Sequence, residues 1–123
     1  MIDPTVLPAT PLVPPAAAGA PTMAKFFRGL GDPTRVRILQ LLLEGERTVG
    51  ELVAKTGVLQ GRLSSHLACL RWCGFVVARR EGRRVYYSVH DERVRRLLVL
   101  AEEFLAQHAD SVDLCRVIDS EDE

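Results

Sequence analysis

Thr48 to Gly74 constrains the fold more than any other stretch of the chain. Thr48-Val49-Gly50-Glu51 has the capping-box form, a Thr followed three residues later by Glu. It predicts the start of a short helix with Leu52 and Val53 turned inward, and Gly57 is placed to stop it. A second helix is expected over roughly Gln60 to Cys73, with Leu63, Leu67 and Leu70 as its apolar stripe and Gly74 as its stop. Two short helices around a tight, Gly-containing turn make a helix-turn-helix. Any small helical hairpin has the same pattern, so the flanking segments decide between them.

Downstream, Phe75 to Val89 reads as two strands around a turn near Glu81-Gly82. Phe75, Val76, Val77, Val85, Tyr86, Tyr87 and Val89 have strand propensity. Arg79, Arg80, Arg83 and Arg84 cluster at the tip. A basic hairpin directly after a helix-turn-helix is a wing, and that order is far more specific than either part. Upstream, Ala24 to Gly31 predicts a short helix carrying Phe26, Phe27 and Leu30. Asp32-Pro33 then suits an N-cap and first helical position. Val36, Ile38, Leu39, Leu42 and Leu43 follow as a buried face, ended at Glu44-Gly45. Asp91 to Ala109 is the last helix, with Val94, Leu97, Leu98, Ala101, Phe104, Leu105 and His108 on one face. So long a stripe outside the winged core is a candidate dimer interface. The fold class is mainly α with a small β-hairpin wing, α+β, in a winged helix-turn-helix arrangement.

The 123 residues suit one domain. Met1 to Thr22 holds six of the seven prolines and is expected to be a disordered tail; Met23 is an alternative start. Residues 23–109 form the domain, and 110–123 an acidic tail that carries Cys115. No apolar run reaches the ~18 residues of a membrane span, and the N-terminus lacks a signal-peptide pattern. The expectation is a cytoplasmic protein with no membrane partner. No phosphate loop, nucleophile elbow or zinc-hydrolase motif is present, which argues against an enzyme.

Formal net charge is zero, but nine Arg and only three acidic residues lie between Gln60 and Arg96. A local basic surface is the footprint of a nucleic-acid binder. The exposed start of the second helix of the pair offers Gln60, Arg62, Ser64, Ser65 and His66 to DNA. Arg reads guanine and Gln reads adenine in the major groove, and the Ser hydroxyls can hold phosphates or base edges. Arg83 and Arg84 on the wing are assigned to phosphate or the minor groove. His66 has a second assignment, a hydrogen bond within the fold.

Three cysteines cannot close a disulfide framework without a remainder; free thiols then signal metal, redox chemistry or burial. Cys69 and Cys73 are four apart on one helix, so they point about 40° from one another. A small buried pair is the plain reading. Soft thiolates otherwise select thiophilic ions over calcium or magnesium.

The segments LGDPTRVRILQLL, TVGELVAKTG, SSHLACLRWCGFV and REGRRVYYSV together resemble the ArsR/SmtB family of winged-helix repressors, over roughly Met23 to Ala109. The resemblance implies a homodimer joined by its first and last helices, which places Phe26, Leu97, Leu98, Ala101, Phe104 and Leu105 at the interface. It also implies a repressor that holds operator DNA without metal and releases it when metal binds. A two-fold dimer calls for a palindromic operator. HLACLRWC is similar to the CmtR-type cadmium- and lead-sensing subgroup, with mercury-responsive repressors as near neighbours. That likeness implies a ligand set of Cys69, Cys73 and Cys115 for Cd2+, Pb2+ or Hg2+, with no organic cofactor. Structural zinc usually takes four ligands. Other family sites are not expected: ELVAKTG has no Cys-x-Cys pair and the last helix has no Asp-x-His. Gly61 departs from the Ser or Thr common near the start of a recognition helix. The alternative function is a winged-helix repressor whose thiols sense oxidants or reactive sulfur.

Overall fold

The computed structural model describes residues 19–115, and the chain runs α1 (Gly19–Gly29), α2 (Pro33–Leu43), β1 (Arg47–Thr48), α3 (Val49–Thr56), α4 (Gln60–Trp72), β2 (Val77–Glu81), β3 (Arg84–Ser88) and α5 (Glu92–Asp113). Local chemistry sets most of these boundaries. The Asp32 carboxylate accepts from the backbone N–H of Thr34 at 2.8 Å and of Arg35 at 3.1 Å, and Pro33 follows in the first turn of α2. At α3 the capping box is closed both ways. Glu51 N–H donates to Thr48 Oγ1 at 3.2 Å, and Thr48 N–H donates to Glu51 Oε1 at 2.9 Å. Gly57 ends α3 at φ 74°, a left-handed conformation that costs a residue with a Cβ about 1–2 kcal/mol.

The core lies between α2, α3 and α4. Ile38, Leu39, Leu41 and Leu42 of α2 meet Leu52 of α3 and the Leu63–Leu67–Leu70 stripe of α4. Val36 and Leu43, expected inside, are only half-buried, while Leu41 takes a full place. Phe75 and Val76 are buried ahead of the sheet rather than within it, because β2 begins at Val77. Val94 and Leu98 bring the start of α5 into the same core.

The sheet has three strands in the order β1-β3-β2, all antiparallel. β1 was not expected; it pairs Arg47 with Tyr87 and Thr48 with Tyr86, and two residues are too few to show an alternating pattern. Glu81 faces Arg84 across a two-residue turn, with Gly82 at φ 60° in its first position.

Both ends differ from expectation. Gly19 to Thr22, placed in the tail by composition, belong to α1; residues 1–18 of that expected tail lie outside the described residues. Asp110 to Asp113 continue α5, and residues 116–123 lie outside the described residues. α1 buries no residue; Phe26 rests on Phe75 with ring centroids 5.2 Å apart. Beyond Leu98, α5 leaves Leu100, Phe104 and Leu105 exposed. No described helix is long and apolar enough to cross a membrane.

Candidate functional site

With Leu63, Leu67 and Leu70 held in the core, the remaining positions of α4 fall on three surfaces. Gly61, Ser65, Ala68 and Trp72 form a ridge on the side opposite the core, all exposed. Gln60, Ser64 and Arg71 lie on the flank toward the sheet. Arg62, His66, Cys69 and Cys73 share the other flank by the same spacing. Ser64 and Arg71 line an open groove of about 720 Å³ with Ala68, Trp72 and Tyr87. Gln60, Arg62, Ser64 and Ser65 are exposed, as a reading surface requires. The Ser65 hydroxyl donates back to the carbonyl of Gly61 at 3.2 Å. Leu59, in the N-cap position, supplies no side-chain cap, so the first N–H groups of α4 are open to a partner outside the helix.

His66 does not join that surface. Its side chain is 12 % exposed and faces the start of α2. Nδ1 lies 3.3 Å from Arg35 Nη1, and Nε2 lies 3.9 Å from the Asp32 carboxylate without a hydrogen bond among the described residues. Since Arg can only donate, Nδ1 accepts and the proton sits on Nε2. The DNA assignment of His66 is therefore corrected to its second one, a hydrogen bond inside the fold. Arg35 is the hub of that contact: its Nε donates to Gly29 O at 2.7 Å and its Nη2 to Arg28 O at 3.2 Å, the last carbonyls of α1. The end of α1, the start of α2 and the middle of α4 meet on one guanidinium. The sequence carries no sign of this, since Arg35 and His66 are 31 residues apart. Burial raises the pKa of Asp32, but hydrogen bonds from the N–H groups of Arg35 and Thr34 outweigh it and leave the carboxyl below its usual range.

The wing divides its arginines. Arg79 is taken by Glu46 and Glu81, each at 2.6 Å, and its guanidinium lies 4.8 Å from the Tyr86 ring centre. Hydrogen bonds to Glu46 and Glu81 raise its pKa further. Arg80, Arg83 and Arg84 have no ion pair among the described residues and are exposed, so their charge is available to phosphate. Arg83 and Arg84 also line a shallow groove against Thr48, Gly50 and Glu51 at the start of α3.

All three described cysteines are free thiols. Cys69 is half-buried and Cys73, which caps α4, is exposed. Although Cys73 stands at the surface, its sulfur is packed closely enough that burial pushes the thiol up; the charge of Cys69 and a hydrogen bond between the two thiols push it further, against Arg35 and Lys25. The two thiols lie one turn apart on the same flank, and their donor chemistry fits a soft cation. Cys115 stands apart from it, one residue past the C-cap of α5, with its N–H on Val112 O at 3.1 Å. Among the described residues, no three of His, Cys, Asp or Glu gather in one chain as a metal site would need.

Comparison with known proteins bears on the family and the fold. Residues 32–77 match the family described as bacterial regulatory protein, arsR family. Over 102 residues the chain is 49 % identical to a probable mercury resistance operon repressor of Streptomyces lividans, covering 83 % of this chain and 82 % of that protein. It is 47 % identical over 76 residues to the HTH-type transcriptional regulator CmtR of Mycobacterium tuberculosis, covering 62 % of this chain and 64 % of that one. Among solved structures it is similar to a homodimeric winged helix-turn-helix DNA-binding domain from Mycobacterium bovis, a possible ArsR-family regulator, with TM-score 0.68, 34 % identity, and 80 % of this chain and 92 % of that chain covered. The chain belongs to the arsR family of bacterial regulatory proteins and is a DNA-binding transcriptional regulator on a winged helix-turn-helix fold, not an enzyme.

Proposed function

We infer that this regulator is a metal-responsive repressor, which holds a palindromic operator as a homodimer in the cytoplasm and lets go when a thiophilic divalent cation is captured by cysteine. The observation that carries this reading is that Cys69 and Cys73 stand one helical turn apart on the flank of α4 that also bears Arg62. The mercury-resistance name of the Streptomyces relative supports the same class of effector.

On the DNA side, Gln60 and Arg62 reach base edges, Ser64 and Ser65 hold base edges or phosphate, and Arg83 and Arg84 meet phosphate or the minor groove beside them. Phe26 of α1 with Leu97, Ala101, Phe104 and Leu105 of α5 forms the dimer surface. Leu98, assigned to that surface from the spacing, is 8 % exposed and serves the protomer's own core.

On the metal side, the cation supplies a compact double positive charge with a preference for sulfur. Cys69 and Cys73 meet it as thiolates, so each gives up a proton. Cys115, one residue past the C-cap of α5, is the third sulfur of the set, and in a homodimer either subunit can supply it. A cation held by Cys69, Cys73 and Cys115 would tie the end of an α5 to α4 and bias the position of the reading helix. Three sulfurs suit Cd2+, Pb2+ or Hg2+ better than zinc. The coupling is reciprocal: DNA must weaken metal binding by the factor with which metal weakens DNA binding.

An oxidant sensor is the competing reading, and both chemistries use the thiolate, so peroxide treatment set against metal titration separates them. The test is release of a labelled promoter duplex across a panel of divalent ions. Cadmium, lead or mercury should release the duplex together with a sulfur-to-metal absorption band, and Cys115→Ser should blunt both. A metal-loaded, reduced protein with no such band and an unchanged grip on the duplex would overturn the reading.

A further inference from the structure

Trp72 is the one tryptophan of the chain and is 90 % exposed, at the end of the helix that reads DNA. With Ala68 and Tyr87 it lines one groove, where its indole offers a flat apolar face to a partner. It ends the outward ridge of α4, after Gly61, Ser65 and Ala68, three small side chains that let the helix approach a partner closely. Eleven residues of helix separate Gly61 from Trp72, about 16 Å at 1.5 Å per residue. The major groove is about 12 Å wide. With Gly61 at the base edges, Trp72 therefore reaches past the groove to the sugar-phosphate wall.

The surroundings of Trp72 fit that wall. It borders the open groove between α4 and β3, with Arg71 and Ser64 on one side and Tyr87 on the other. Arg71 has no ion pair among the described residues, and α4 carries no acidic residue. A polyanion is the occupant this charge selects. A guanidinium suits a phosphate oxygen, and the flat indole face suits the apolar side of a deoxyribose.

We propose that Arg71 and Trp72, with Tyr87 across the groove, form a second DNA contact that grips the sugar-phosphate backbone beyond the base-reading end of α4, whatever the sequence. This deepens the DNA-reading role of α4 and rests on it.

The lone indole makes the test direct. Acrylamide quenching of Trp72 is followed in the full chain, alone and saturated with a fluorescein-labelled duplex, using both the promoter upstream of its own reading frame and a random sequence. Duplex anisotropy reports binding in the same tube. The expected result is loss of quenching with either duplex. Arg71→Ala should weaken both duplexes by the same factor and lower the log–log salt slope by about 1. Trp72→Ala should weaken both with the slope unchanged; circular-dichroism melts check that each variant is folded. An indole still quenched while anisotropy is saturated overturns the second contact and leaves DNA binding intact. Protection already present without duplex assigns the patch to a second copy of the chain and also overturns it. No anisotropy change with either duplex removes the DNA-reading role, and the proposal with it.

Discussion

Asp91 caps α5 with its carboxylate, which accepts from the N–H of Arg93 at 2.8 Å and from its guanidinium at 2.6 Å. The hydrogen bond from the Arg93 side chain, then that from its backbone, pulls the carboxyl down to about 2. A carboxyl lowered on folding adds stability above its ordinary value of about 3.9, and that contribution is lost as pH falls through about 2. Asp91→Ala should cost about 1 kcal/mol at neutral pH. In urea melts its deficit against the parent should shrink as pH drops from about 4 to 2; a deficit that stays constant would deny the titration any role. Contacts of this reach were legible beforehand. The caps at Asp32 and Thr48 join residues two or three apart, so the sequence states both partners side by side. His66 was not legible, because its orientation depends on Arg35, a distant residue that also holds the end of α1.

Elements were recovered in the right order, and their errors have physical causes. β1 is a strand only because β3 offers Tyr86 and Tyr87 to pair with it, which no local pattern encodes. α5 runs a turn past Ala109 although Asp110, Ser111 and Asp113 are weak helix formers; propensity is a weak prior once a helix is under way. The wing turn was legible through Gly82, whose φ of 60° explains the residue. Space around Gly82 is open, so Gly82→Ala meets backbone strain alone. It should cost about 1–2 kcal/mol, and it should weaken DNA by displacing Arg83 and Arg84. Wild-type affinity for a random duplex at low salt in this variant would show that the wing does not hold phosphate.

The whole molecule is where a single chain's sequence says least. α1 buries none of its residues and α5 buries only Val94 and Leu98, so a long apolar helical surface has no cover within the protomer. Phe104, 60 % exposed and stacked on His108 at 4.4 Å between ring centres, stands on that surface. Phe104→Glu should leave the protomer folded and raise the dimer dissociation constant tenfold or more, from about 1.5–3 kcal/mol of lost burial. Sedimentation equilibrium checks it; an unchanged constant would move the interface elsewhere. The cysteine pair was legible from spacing, whereas Cys115, past the end of α5 and 42 residues from Cys73, shares no local pattern with it. On the proposed reading, two of the thiols sit on the same helix as the base-reading side chains, so input and output share one body. The pace of the response is then set by how quickly the ion exchanges at sulfur and how quickly the duplex leaves.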